Sequence, residues 1–431
     1  TVTLLLMTTY RPTIGLEVHA ELNTRTKMFC ACKNDPDEKR PNVNICPICM
    51  AHPGTLPVIN KEAVRAILRM GAAVGGKISD FTEFDRKNYF YPDIPKGYQI
   101  SQYQYPLVLG GELAGVQITR IHLEEDTARS SHENPKETLI DFNRAGVPLM
   151  ELVTEPVIHN AETAVHFAKE LQLLLRTLGA GEANMEKGEM RVEANISISN
   201  SDKFGTKVEV KNLNSFRSVE RAIAYELKRH QKLLESGGKV TQETRGWDDL
   251  KQETYAQRLK EDSHDYRYFL DPDLPKLMIS EIPEFSADNL QKSLPELPWK
   301  KRSHYQEILG LKKEDADMLV SDTKLGPLFD AVAAELKDIE SSKLAANYIT
   351  SDLAGFLKGG DVLFTPNNFV GLIRMIKGGE LSSRAGKDIL KMMSRGGGDH
   401  SPKAIADREG LLQQSDTKEL RAIVEQVIVD N

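Results

Sequence analysis

Within residues 13–22, apolar and polar side chains alternate without a break. Ile14, Leu16, Val18, Ala20 and Leu22 fall on one side, and Glu17, His19 and Glu21 on the other. A period of two is what a half-buried strand requires, because successive side chains point to opposite faces of a sheet. Similar strand-like stretches occur at 116–124, 149–154, 191–199 and 206–211, with the turn Leu109-Gly110-Gly111-Glu112 among them. Helical spacing interrupts the strands twice. Asn160 can cap a helix running to Leu178, and Ser215 can cap another that stops at Gly237-Gly238. Prolines recur from 283 to 298, which reads as a linker. Beyond it the stretches near 303–320, 326–338, 341–358, 366–377, 382–394 and 402–412 all carry helical spacing, and no strand pattern survives. The expected fold class is α+β: a mostly antiparallel-sheet domain with inserted helices over 1–290, then an all-helical tail divided into 291–365 and 366–431. Gly396-Gly397-Gly398 reads as a flexible joint in that tail.

All four cysteines lie within twenty positions, as Cys30-Ala31-Cys32 and Cys46-Pro47-Ile48-Cys49. Two short knuckles of thiolates suit a tetrahedral metal, most commonly Zn²⁺; an iron–sulfur centre or two disulfides would also use four clustered thiols. Four thiolates close the coordination sphere and leave no position for substrate, so Cys30, Cys32, Cys46 and Cys49 are expected to form a structural site. The absence of cysteine elsewhere suits a reducing compartment. Residues 1–7 are apolar but short, with neither a basic region nor a cleavage site, and read as an extension ahead of Met7. The longest apolar runs fall short of a membrane span, so no membrane partner is expected. With a net charge of −7 and acidic and basic residues nearly balanced after residue 300, the chain is no polybasic binder. DNA is not an expected partner, and an RNA would have to be gripped locally.

Gly71-Ala-Ala-Val-Gly-Gly76-Lys77-Ile78 approaches a phosphate-binding loop but lacks the final hydroxyl and follows a helix, so it reads as a glycine-rich helix end. The acidic clusters are more promising. Glu17 and His19 share a strand face, 122–126 reads His-Leu-Glu-Glu-Asp, and Glu151 and Glu155 flank another strand. Converging on one sheet, these groups could hold a hard cation such as Mg²⁺; dispersed, they would be solvated surface. Two further segments, 84–93 and 265–273, interleave aromatic and basic residues, a mixture that suits either base stacking with phosphate neutralisation or core aromatics with paired charges.

Together these runs resemble the B-subunit family of the aspartyl/glutamyl-tRNA amidotransferases. The resemblance is carried by Ile14-Gly-Leu-Glu-Val-His19, Asp85-Arg-Lys-Asn-Tyr-Phe-Tyr-Pro-Asp93, Lys96-Gly-Tyr-Gln-Ile-Ser-Gln102 and His122-Leu-Glu-Glu-Asp126. It continues through Asp141-Phe-Asn-Arg-Ala-Gly-Val-Pro-Leu-Met-Glu151, Lys211-Asn-Leu-Asn-Ser-Phe216, Gln242-Glu-Thr-Arg245 and Asp265-Tyr-Arg-Tyr-Phe269. The resemblance implies a cradle domain with a zinc knuckle of four cysteines that amidates the side chain of Glu on tRNA(Gln), of Asp on tRNA(Asn), or of both. ATP would first phosphorylate the carboxylate, and ammonia would then displace the phosphate. It further implies Mg²⁺ or catalytic roles for Glu17, His19, Glu125 and Glu151, and places Lys87 along the path of ammonia. Strand alternation sets Glu124 beside His122 and Glu125 beside Leu123, so both Glu124 and Glu125 stand as candidates.

A glycine- and serine-rich amidase signature is missing. By resemblance, ammonia would come from a separate amidase subunit, with a small third subunit joining the two into a heterotrimer in the cytoplasm or an organellar matrix. Two departures stand out. Arg191-Val-Glu193-Ala-Asn195 replaces the family's Arg-Cys-Asp-x-Asn, and the family commonly continues past Asn431 with a helical segment that helps to recognise tRNA. The alternative function is a non-enzymatic zinc-containing subunit that binds tRNA or scaffolds a complex. A stand-alone carboxylate–amine ligase would need a nucleotide-binding fold, and no nucleotide motif locates an ATP pocket in the sequence.

Overall fold

The computed structural model describes residues 10–132, 136–259, 266–395, 400–413 and 428. The extension ahead of Met7, the Gly396-Gly397-Gly398 joint and Asp265 lie outside the described residues. The chain divides into two compact units, Thr1–Pro295 and Glu296–Asn431.

The first unit is built on a ten-stranded sheet among the described residues. Its long members are β1 (Arg11–Glu21), β4 (Val116–Glu125), β5 (Pro148–Thr154), β6 (Met190–Ser199), β7 (Val208–Leu213), β8 (Glu243–Asp248) and β9 (Glu253–Leu259). β2 (Asp85–Asn88) and β3 (Tyr98–Ser101) pair in a separate three-stranded sheet. The large sheet runs β9–β8–β7–β6–β1–β5–β4 and ends on short strands at Val108–Leu109 and Lys77–Ile78. Pairing is antiparallel except between β7 and β8, which run parallel.

The alternation in β1 is realised as expected: Ile14, Leu16, Val18 and Ala20 are each at most 1% exposed. Burying one of the larger apolar side chains stabilises by about 1.5–3 kcal/mol, so this strand is held by its apolar side while the other side stays polar. Three helices accompany the sheet: α1 (Lys61–Ala73), α2 (Ala161–Thr177) and α3 (Phe216–Glu235). Asn160 caps α2 by accepting from the Thr163 amide, and Ser215 caps α3 by accepting from the Ser218 amide. α2 packs along α3, and α3 lies on β6, β7 and β9.

The glycine-rich run after α1 is a helix end followed by a close crossing. A Cβ at Gly71 would stand 2.5 Å from a Val108 methyl, and one at Gly76 would stand 2.6 Å from the other. Here the glycines serve packing of α1 and its C-terminal turn on the Val108–Leu109 strand. The proline-rich stretch expected as a linker is instead folded into short helices at Ile279–Glu281, Pro283–Phe285 and Ala287–Lys292. Phe285 and Leu290 are buried there, and Glu284 pairs with Lys61 and Arg65 of α1. Proline starts a helical turn well because its fixed φ is already helical, so recurring prolines do not by themselves mark an extended linker.

The second unit is helical throughout its described residues, around one core that includes Phe329, Ile349, Phe369, Ile373 and Ile389. The stretch expected as one helix over 303–320 is broken at Gly310, whose φ of +63° ends one helical segment before Lys313–Ser321 begins.

Candidate active site

Opposite the apolar side of β1, four neighbouring strands present charged groups across one surface. Register sets them side by side: His19 faces Arg191 on β6 and Glu151 on β5, Glu17 faces Glu193, and Glu151 faces His122 on β4. His19 Nε2 lies 3.4 Å from Glu151 Oε2, 3.5 Å from Glu124 Oε1 and 3.9 Å from Glu17 Oε1. His122 Nε2 is 3.4 Å from the same Glu151 oxygen, and Arg120 reaches the other at 3.3 Å. One ligand atom from each of Glu17, His19 and Glu151 lies within 4.8 Å of the others, and the same holds for His122, Glu124 and Glu151. Glu151 is thus shared by two groups of possible ligands.

The electrostatics follow from packing carboxylates together away from water. Burial and the neighbouring Glu151 charge push the Glu17 pKa up to about 6. Burial would lower that of His19, but the Glu151 hydrogen bond and the Glu151, Glu124 and Glu193 charges raise it to about 9. Burial works against ionisation of Glu151, yet His122 and His19 hold its carboxyl well below the usual range. A surface that gathers protons in this way is one that a divalent cation would suit.

Lys87, on β2, is raised above the usual lysine range: desolvation opposes its charge, but Glu124 and Glu151 with the phenols of Tyr268 and Tyr89 outweigh it. Its ammonium lies 5.1 Å from the centre of the Tyr266 ring. The two aromatic–basic segments of the sequence prove to be partners: Phe269 pairs with Arg86, and Leu270 with Asp85. Arg86 is paired with Asp271 and Asp273 at 2.8 and 2.9 Å, whereas Phe90 and Tyr91 are exposed.

Glu124 and Glu125 separate as alternation requires. Glu124 accepts from Ser101 Oγ at 3.1 Å and joins His19. Glu125 is not brought into that group: Lys96 Nζ donates to it at 2.6 Å and the Ile100 amide at 3.0 Å. It lines a cavity of about 280 Å³ together with Lys96, Arg86, Cys30, Cys49 and Gly146. Sequence reasoning named the 122–126 run without giving His122 a role of its own, and did not nominate Arg120 or Lys96. His122 shares the Glu124 side of β4 and was discoverable from alternation, whereas Lys96 meets Glu125 across 29 positions with no sequence signal. Glu193 is beside Glu17 in register and pairs with Lys211 at 2.7 Å.

The four cysteines are free thiols, so the two-disulfide alternative is not formed. One sulfur from each lies within 4.8 Å of the other three. Four sulfurs bonded to Zn²⁺ at about 2.3 Å would stand about 3.8 Å apart, a spacing compatible with that cluster.

The family model described as "GatB/GatE catalytic domain" matches residues 12–283, and the one described as "GatB domain" matches residues 327–431. The B subunit of the aspartyl/glutamyl-tRNA(Asn/Gln) amidotransferase of Gloeothece citriformis is 40% identical, covering 98% of this chain and 89% of the relative. The proteins of the same description from Persephonella marina and Thermoanaerobacter pseudethanolicus are 41% and 40% identical, covering 97% and 98% of this chain and 90% of each relative.

Proposed function

Because the chain belongs to the GatB/GatE family of amidotransferase B subunits, we propose that it amidates the side-chain carboxylate of Glu-tRNA(Gln), Asp-tRNA(Asn) or both. The observation that carries this reading is the convergence of Glu17, His19, Glu124, Glu151 and His122 on one strand surface beside Lys87. A free carboxylate resists ammonia, so the reaction passes through an acyl phosphate. The γ-phosphoryl group of ATP moves to the substrate carboxylate and leaves ADP. Ammonia then attacks the acyl carbon, loses a proton and expels inorganic phosphate.

Glu17, His19 and Glu151 would hold Mg²⁺, with Glu124 and His122 adjoining, and the ion would neutralise phosphate charge. Glu125 would act from the neighbouring Lys96 cavity rather than in that group. Lys87 stays cationic beside Glu124 and Glu151, which fits it to order the approach of ammonia to the acyl phosphate. Cys30, Cys32, Cys46 and Cys49 would hold a structural Zn²⁺.

A separate amidase subunit would supply ammonia and a small third subunit would join the two, in the cytoplasm or organellar matrix where the misacylated tRNA is used. Residues 1–290 would form the cradle for the aminoacyl end, followed by a helical tail whose 291–365 and 366–431 parts share one core. Among the described residues no helix is long and apolar enough to cross a membrane.

The test is ATP hydrolysis by the purified chain assembled with its amidase partner, with and without misacylated Glu-tRNA(Gln) or Asp-tRNA(Asn). Stimulation is expected, and Glu17→Ala or His19→Ala should abolish it while tRNA binding remains. An assembly that shows no stimulation with either tRNA overturns the reading.

A further inference from the structure

Lys27 is completely buried at the root of the cysteine knuckle. The backbone around it is fixed: its amide donates to the Cys32 carbonyl at 3.0 Å, and its own carbonyl accepts from the Asn60 side chain at 3.2 Å. The ammonium donates to the Phe142 carbonyl at 3.2 Å and lies 4.0 Å from Cys49 Sγ. A single neutral carbonyl does not offset the loss of water around a buried cation; an anion must be close. Four thiolates around one divalent ion carry two surplus negative charges, and Cys49 is where Lys27 meets them.

Gly146 borders this meeting with a φ of +85°, a conformation that favours glycine. A Cβ there would stand 3.6 Å from Lys27 Cδ, 3.7 Å from Cys49 Cβ and 3.9 Å from Glu125 Oε2. The Glu125 carboxylate already has its own cation in Lys96, at 2.6 Å, which leaves Lys27 to the sulfurs.

We propose that Lys27 is the built-in counter-ion of the four-thiolate site, its charge offsetting the surplus negative charge and raising the affinity of Cys30, Cys32, Cys46 and Cys49 for a divalent metal. The proposal rests on the reading of those cysteines as zinc ligands. It acts through Cys49 and involves no reacting atom of the amidation.

The test measures Zn²⁺ affinity of the full chain by competition with a chromophoric chelator, alongside Zn²⁺ stoichiometry. Lys27→Met removes both the charge and the bond to Phe142. Lys27→Gln removes the charge and keeps a donor for that carbonyl. Both are expected to weaken Zn²⁺ binding by about 10–100-fold, the usual cost of losing a group that supports a metal ligand. A variant that does not fold at trace metal is refolded with increasing Zn²⁺, and the midpoint of that titration replaces the competition. Wild-type affinity in Lys27→Gln would overturn the proposal, since the hydrogen bond would then be all that matters. A wild-type chain that takes up no Zn²⁺ at all overturns the metal reading, and this proposal with it.

Discussion

At the residue scale, Glu226 on α3 is a carboxylate outside the candidate site that is fully buried. It accepts from Thr254 Oγ1 at 2.5 Å and from Arg229 at 2.8 and 2.9 Å, with His230 Nε2 at 3.0 Å. Burial opposes its ionisation, but the nearby His230, the bonds from Arg229 and Thr254 and the Arg229 charge win and hold its pKa at about 2, against 4.5 when free. On acidification the unfolded chain takes up this proton before the folded one does. The contribution is therefore whole above pH 4.5 and lost as the pH falls towards 2. Its size is about 3 kcal/mol, comparable with the cost of breaking a buried ion pair. Glu226→Gln should lower stability near neutral pH by about that amount and flatten its decline on acidification, as read from urea midpoints over an acid pH series. A variant whose midpoints fall with acid as steeply as the wild type would remove Glu226 from the account.

At the element scale, α1 and its crossing strand offer a test of what the glycine-rich run is for. On an ordinary helix Gly→Ala gains up to about 1 kcal/mol. Gly71→Ala should instead destabilise by about 1–3 kcal/mol, because its Cβ would stand 2.5 Å from a methyl of Val108, a β-branched residue that cannot turn aside. Combining it with Val108→Ala should recover part of that loss in urea denaturation. Lys77→Ala should leave ATP hydrolysis by the assembly unchanged; loss of ATP binding would restore the phosphate-loop reading. Elements with a clear period were readable in advance: β1, α2 with its Asn160 cap and α3 with its Ser215 cap each arise from local chemistry. The helical turns at 279–292 were not, because proline is compatible both with a linker and with the first turn of a helix.

At the scale of the whole molecule, two compact units meet in sequence at 295 and 296, next to exposed positions from Gln291 to Ser293. Brief trypsin digestion should nick the folded chain at Lys292, and any Zn²⁺ that the full chain binds should stay with the N-terminal fragment; mass spectrometry with metal analysis reads both. Protection of this bond while cleavage proceeds inside the 190–235 region would contradict the division. What the sequence determined by itself was whatever depends on neighbours along the chain. Alternation put Glu17 with His19 and Glu124 with His122, and close spacing collected four thiols. What only tertiary structure decided was which strands lie side by side. Glu151 sits between His19 and His122 because β5 pairs with both β1 and β4. Glu125 turns to Lys96, and Lys27 is buried against Cys49. Those encounters join residues that periodicity does not relate, since strand order and register arise from packing the whole apolar face at once.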